Sequence, residues 1–262
     1  MSSAAMHIAR TGLDAQDTRM RVISNNLANV NTTGFKKGRA SFATLAYQTI
    51  TAPGSASTSE SKYATGLNLG TGVKIQGTAR IDTQGDMQTT GNSLDLALDG
   101  DGYFQVQLPG GQLGYTRSGN FSRSPEGLMI TSEGYQVMPG ITIPEGTTAI
   151  TIGTDGTVSA TIPGQTEPSE IGQIQVASFP NAAGLQEIGD NYLVETAASG
   201  PVSVGIAGLE GRGNIRQGML EGSNVNVVEE LVDMIETQRA YEVNSKMITA
   251  TDDMLKYVNQ NI

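Results

Sequence analysis

Apolar residues fall into three regimes along the chain. From Ala4 to about Asn29 they recur at helical spacing. Met6, Leu13, Met20 and Leu27 stand seven residues apart, and Ala9, Ile23 and Val30 form a companion column in which Gln16 fills the remaining place. A two-column seam of this kind predicts a helix that packs lengthwise on another helix. At 1.5 Å per residue it reaches about 40 Å, and Asn29, Asn31 and Gly34 end it. The far end of the chain mirrors the first. Leu231, Met234, Tyr241, Ile248, Leu255 and Ile262 mark one stripe; Val232, Ile235, Val243, Met247, Met254 and Val258 mark a second. Neither Gly nor Pro occurs from 223 to 262. Ser223 and Asn224 offer capping oxygens, while Glu229, Glu230 and Asp233 suit the positive start of a helix.

Residues 66–220 follow a different rule. Leu94, Leu96 and Leu98 alternate with polar residues, as do Phe104, Val106 and Leu108. Short runs follow at Gln112–Tyr115, Leu128–Thr131, Tyr135–Val137, Ile141–Ile143, Ala149–Ile152, Thr157–Ile162, Ile171–Phe179, Asn191–Val194 and Val202–Ile206. Pro109-Gly110-Gly111, Pro125-Glu126-Gly127, Asp155-Gly156 and Pro163-Gly164 punctuate them. Short strands with frequent turn residues predict an all-β region, part barrel or sandwich. The expected fold is therefore a mostly β middle with long N- and C-terminal α-helices that form a coiled-coil-like pair. Its expected divisions are a helical part built from 1–45 and 221–262, an extended connecting segment at 46–72 and a β-rich part at 73–220. Within the connecting segment, Ala52-Pro53-Gly54 and Ser55 to Ser61 make a polar, low-complexity stretch.

Composition removes most chemistries. The 262 residues hold no Cys, no Trp and one His, against 33 Gly. That excludes a disulfide scaffold, a zinc ribbon and a Cys nucleophile, and it leaves a Ser-His-Asp triad only His7. Asp99-Gly100-Asp101-Gly102 lacks the spaced third carboxylate and closing Glu of a calcium loop and reads as a tight turn. Gly70-Thr71-Gly72 is followed by neither the rest of a dinucleotide fingerprint nor a helix. No pair of carboxylates is singled out for glycoside hydrolysis. The expected catalytic, metal-binding and cofactor-binding residues are none, and the chain is not expected to be an enzyme.

Net charge is −10, but it is unevenly placed. Residues 1–45 carry six basic groups against two acidic ones, and residues 221–262 carry three basic against eight acidic. An acidic chain is a poor nucleic-acid partner, so none is expected. Ends of +4 and −5 attract each other. Lys36-Lys37-Gly38-Arg39 reads as a solvated basic end of the first element. No apolar run nears the roughly 18 residues of a membrane span, and the opening residues lack the apolar core of a cleaved secretion signal.

The segment Ile23-Ser24-Asn25-Asn26-Leu27-Ala28-Asn29-Val30-Asn31-Thr32-Thr33-Gly34-Phe35-Lys36 resembles the N-terminal signature of bacterial flagellar rod and hook proteins. Asn224 to Glu242, which includes Val228, Leu231, Met234, Ile235, Gln238, Arg239 and Tyr241, resembles the matching end motif. The likeness continues through Leu45-Ala46-Tyr47-Gln48-Thr49-Ile50 with Ala52-Pro53-Gly54, and through Gly70 to Val73, Gly102 to Val106 and Tyr115 to Phe121. Length and the Tyr47–Gly72 insert are similar to the distal-rod type. The resemblance implies a multi-domain axial protein that leaves the cell through the flagellar type III export apparatus without a cleaved signal. It implies a helical tube of many copies crossing the periplasm to the outer membrane, with the terminal helices lining its inside. The implied neighbours are other rod proteins, the hook or hook–rod junction, and the surrounding P- and L-ring proteins. Asn25, Asn26, Asn29 and Asn31 would turn the chain between the inner helix and the outer part, although Asn29 and Asn31 serve equally as plain helix caps. The alternatives are another rod or hook protein, a β-rich adhesin or carbohydrate-binding module, and a peptidoglycan hydrolase.

Overall fold

A computed structural model describes residues 2–54, 64–163 and 168–260. Ile262, Gly164 and the stretch Ser55 to Ser61 lie outside the described residues. The chain divides into two units that interleave in sequence. Unit 1 comprises residues 1–27, 38–79 and 226–262; unit 2 comprises 28–37 and 80–225.

Unit 1 carries both long helices, α1 (Ser2–Ala28) and α2 (Val227–Gln260). The start of α2 differs from expectation. Its cap is Asn226, whose Oδ1 accepts the amides of Val228 at 3.0 Å and Glu229 at 3.4 Å. Ser223 instead accepts the Val225 amide, and Asn224 is bonded elsewhere. The physical reason is position: Asn226 immediately precedes the first helical residue, where the orphan N–H groups lie. Two strand pairs complete the unit, Gly38–Thr44 with Val73–Arg80 and Gln48–Thr51 with Leu67–Leu69. None of these four strands shows a two-residue alternation: Gly38–Thr44 is mostly half-buried along its length, and the other three are mostly exposed on both faces. Gly72, at φ +119°, lets the chain pass over α1, since a Cβ there would lie 2.3 Å from Thr11 Oγ1.

Unit 2 is mostly β, with every described strand pairing antiparallel and two single-turn helices at Pro109–Gly111 and Ala182–Gly184. Its main sheet has nine strands. The central one, Tyr103–Gln107, pairs along one edge with Leu113–Thr116. Its other edge is shared by Gln136–Val137 and Gln175–Ser178. A three-stranded meander, Ala149–Ile152, Thr157–Thr161 and Ser169–Gln173, stands beside two further pairs. These are Leu96–Asp99 with Asn214–Gln217, and Met87–Thr89 with Met219–Glu221. Leu96, Leu98, Phe104, Val106, Phe121, Met129, Val137, Ile174, Val176 and Ile215 fill one core. Each such buried side chain contributes about 1.5–3 kcal/mol. Phe104 meets Phe121 edge-on at 5.1 Å.

Two sequence expectations fail here. Ile141–Ile143 is not a strand, though Ile141 and Ile143 are buried; a single bridge joins Thr142 to Leu128. Ile171–Phe179 is broken at Ile174, whose amide leaves the run to bond Gly156 O at 2.8 Å. The two halves then join different sheets. An apolar run shows that a segment is buried, but it does not show which neighbour takes each amide.

Candidate assembly site

The two helices of unit 1 meet through polar contacts, while Ala9, Ala15 and Ile23 are the buried apolar residues of α1. Asn26 Nδ2 lies 3.2 Å from Glu230 Oε2, and Arg19 Nη2 lies 3.1 Å from Asp233 Oδ1. A Cβ on Gly12 would lie 3.0 Å from the Asn244 amide. As the contacts climb back along α1 from Asn26 to Gly12 they advance along α2 from Glu230 to Asn244, so the helices are antiparallel. Gly12, Arg19 and Asn26 are seven apart, as are Glu230, Thr237 and Asn244. Glu230 and Thr237 are buried. Gly12 costs about 1 kcal/mol in a helix interior relative to Ala, and its bare Cα accommodates the Asn244 side chain. The Arg19–Asp233 pair is over a third exposed and contributes at most about 1 kcal/mol.

Asn26 is the most connected residue of the seam. Besides Glu230, its Nδ2 donates to Gly38 O at 3.0 Å and its Oδ1 accepts the Gly38 amide at 2.9 Å. The side-chain amide thus copies a strand partner and fixes where the first strand of unit 1 begins. Three bonds at about 1 kcal/mol each make it a costly residue to lose.

The sequence-selected positions of the helices separate by exposure. Ile23 is buried, and Met6, Leu13, Met20, Leu27, Met234, Ile248 and Leu255 are half-buried. Ser24, Asn25, Gln238 and Arg239 are exposed. So are Leu231 and Tyr241, both set on the stripe expected to pack. The second stripe of α2 faces outward: Val232, Ile235, Val243, Met247 and Met254 are 50–62% exposed, Val228 beside them is 70% exposed, and the side chain of Val258 lies outside the described residues. On the strand pairs, Tyr47, Gln48, Pro53 and Gly54 are exposed, and Tyr47 stands beside exposed Ile50, Leu67 and Leu69.

In unit 2, residues 28–37 form a run of turns. Asn29 accepts the Thr32 hydroxyl at 3.1 Å, and Asn29 O accepts the Thr32 amide. Val30 and Phe35 are half-buried and Asn31 is exposed. Gly34 is required: φ is +71°, and a Cβ would lie 2.7 Å from the Arg117 backbone. Asn191, on a hairpin turn at φ +60°, donates to Thr33 O at 3.0 Å.

Lys36 overturns the reading of a solvated basic end. It is buried, and its Nζ donates to Glu221 Oε1 at 2.5 Å and to Thr83 O at 2.8 Å. Glu221, with no exposed surface, also accepts the Gly85 amide at 3.0 Å and lies 3.4 Å from Arg117 Nη1. Burial lowers the Lys36 pKa, against the opposing pull of the Glu221 carboxylate. Removing one member of such a buried pair costs about 3–5 kcal/mol, because the other charge is left unpaired. Beside it, Arg80 bonds Asp82 at 2.7 Å and the Tyr103 hydroxyl at 3.0 Å. Arg80 and Arg117 stand at 5.7 and 5.6 Å from the Tyr103 ring.

Sequence reasoning passed over Gly12, Glu221 and Asn244, read Asn224 and Glu230 only as helix-start residues, and took in Arg117 and Thr237 only within the family motifs. The seven-residue spacing of Glu230, Thr237 and Asn244 was a visible signal for the seam. Glu221 and Arg117 carried none, since only the fold brings them to Lys36. Asp99-Gly100-Asp101-Gly102 joins two strands, with Gly100 O accepting Arg117 Nη2 and Asp99 paired to Arg216. A polar cavity of about 380 Å³ is lined by Asn29, Thr33, Asn120, Glu133, Asp190 and Tyr192 among others.

Comparison with known proteins places this architecture in a class. The flagella basal body rod protein model matches residues 6–36, and the flagellar hook protein FlgE/F/G D1 domain matches 97–160. The flagellar basal body rod FlgEFG protein C-terminal model matches 216–261. The chain is 48% identical to the flagellar basal-body rod protein FlgG of Buchnera aphidicola subsp. Acyrthosiphon pisum, over 98% of each chain. It is 49% identical to FlgG of Buchnera aphidicola subsp. Schizaphis graminum and 47% identical to FlgG of Caulobacter vibrioides, again over 98% of each chain. The chain belongs to the FlgG family of flagellar basal-body rod proteins.

Proposed function

We propose that this chain is a structural subunit of the distal part of the flagellar rod, and that it joins copies of itself into a stiff helical tube carrying torque from motor to hook. One observation carries the self-association: the outward row of α2. Six large apolar side chains from Val228 to Met254 lie exposed on the side away from α1. An apolar patch of this length marks an interaction surface. A heterologous contact that does not close on itself builds an open helical filament. In that filament the terminal helices complete a coiled coil with neighbouring copies, which the polar intrachain seam alone does not supply. Other rod proteins, the hook or hook–rod junction and the P- and L-rings are the neighbours this reading assigns. The flagellar type III apparatus is its export route, and the stretch from periplasm to outer membrane its place. Its role is structural, not catalytic.

The test is to change Val228, Val232 and Ile235 together to Ser. The monomer's thermal midpoint should barely move, because substitutions at exposed sites stay within about 0.5 kcal/mol each. Fibre formation, followed by sedimentation and electron microscopy, should be lost. Fibres of wild-type length at wild-type concentration would overturn the reading.

A further inference from the structure

The chain crosses between unit 2 and unit 1 at residues 27–28, 37–38, 79–80 and 225–226. Within unit 2, the segments leading to three of those crossings are gathered by a dense set of bonds. Lys37 O accepts the Ile81 amide at 2.9 Å, and the Lys37 amide donates to Asn224 Oδ1 at 2.7 Å. Asn224 Nδ2 donates to Ile81 O at 2.9 Å and Thr83 O at 3.0 Å. The Gly34 amide donates to Glu221 O, and the Gly222 amide to Asp86 O, both at 2.8 Å. At the centre Glu221 takes Lys36 from the first segment and the Gly85 amide from the second. Gly85 is so close to the third that a Cβ would lie 2.1 Å from Gly222 O.

We propose that Glu221 and Asn224 form a clasp that turns three separate chain connections into one joint. Each connection alone is a single extended strand that bends freely. Bound side by side through buried, charge-assisted bonds, the three move together, because loosening any one strands a buried charge or amide. Glu221 is the central positioning residue, since it lies on the third segment, bonds the other two, and has Arg117 Nη1 3.4 Å from its Oε2. Asn224 is its outer partner. The inference rests on the rod reading for its purpose, since a subunit carrying torque needs connections that do not flex one by one. The clasp itself is a property of the single chain.

The test compares Glu221→Gln and Asn224→Ala with wild type, using the full chain. Glu221→Gln keeps the size and one acceptor but removes the charge that holds Lys36 and Arg117. Amide exchange is read at Gly34, Lys37, Ile81 and Gly85, and at Leu96, Leu98, Phe104 and Val106 in the core. Both variants should raise exchange at Lys37 and Ile81 at least tenfold and leave the core amides unchanged. Glu221→Gln should also release Gly85. Wild-type exchange at the clasp in both variants would overturn the proposal. So would clasp and core amides loosening in step, which would make Glu221 an ordinary core residue. If Glu221→Gln fails to fold, the half-exposed Asn224→Ala decides alone. Exchange is read on monomer, so a clasp that behaves as described in a chain that never forms fibres would refute the rod reading and spare this one.

Discussion

Single residues hold this molecule at places where backbone must meet backbone. Asn26 does so with its amide, Gly34 by having no Cβ, and Tyr103 by carrying a hydroxyl between Arg80 and Asp82. Burial pushes the Tyr103 hydroxyl up to about 12 from its ordinary 10.0. Burial raises Tyr192 as well. The unfolded chain therefore gives up these protons near pH 10, while the folded chain keeps them. The contribution to stability is full below pH 10 and is lost as pH climbs toward about 12. For Tyr103 this is on the order of 2 kcal/mol. Lys36 works with the opposite sign, since burial lowers it. Urea midpoints measured from pH 8 to 11.5 should fall steeply for wild type and less steeply for Tyr103→Phe; parallel curves would refute the assignment. None of this was legible in the chain. Tyr103 sits in an alternating strand like any other aromatic, and its partners at 80 and 82 are brought to it by the fold.

Among the elements, the helices were the most legible, because strands and loops do not sustain a seven-residue period over about thirty positions. The period did not say which stripe of α2 turns inward. The answer lay in polar residues: Glu230, Thr237 and Asn244 occupy the seam, so the helix is apolar on both sides and its inward side is the more mixed one. A buried polar residue at such a position sets register at a cost in stability. The intrachain pair should accordingly be aligned but weak. In dilute monomer, amides across 4–30 and 225–258 should exchange far faster than those of Leu96–Leu98 or Phe104–Val106. Equal protection of both groups would show that the pair is stable without neighbours. Strands were read well where one face is buried, as at Ala149–Ile152, which matches its predicted bounds. Of the unit 1 strands, Gly38–Thr44 and Gln48–Thr51 were missed, and Leu67–Leu69 and Val73–Arg80 were covered only by the general β expectation for 66–220, because none of them carries an alternation.

For the whole molecule, the insert carried between the paired strands Gly38–Thr44 and Val73–Arg80 is the feature most open to experiment. The strands Gln48–Thr51 and Leu67–Leu69 have no core of their own, and Tyr47, Ile50, Leu67 and Leu69 are exposed on them. A two-stranded ribbon is marginal in water, so this one needs a cover, and the proposed rod would supply it from a neighbouring copy. Deleting residues 46–65 should leave subunits that polymerise into tubes that bend. Straight tubes of normal rigidity by electron microscopy would count against it. The nesting of the units, invisible to any local pattern, also governs how the chain acquires its shape. Asn26 and Glu230 are 204 positions apart, so their meeting closes a very long loop. Pairings of that separation form slowly. Unit 2 relieves the problem, since its own β pairings are more local and its folding brings Lys36 beside Glu221. Only a ten-residue span on one side and a nine-residue span on the other then separate that pair from Asn26 and Glu230. A folded middle would thus serve as the template on which the two ends find each other, with the helices expected to fold last.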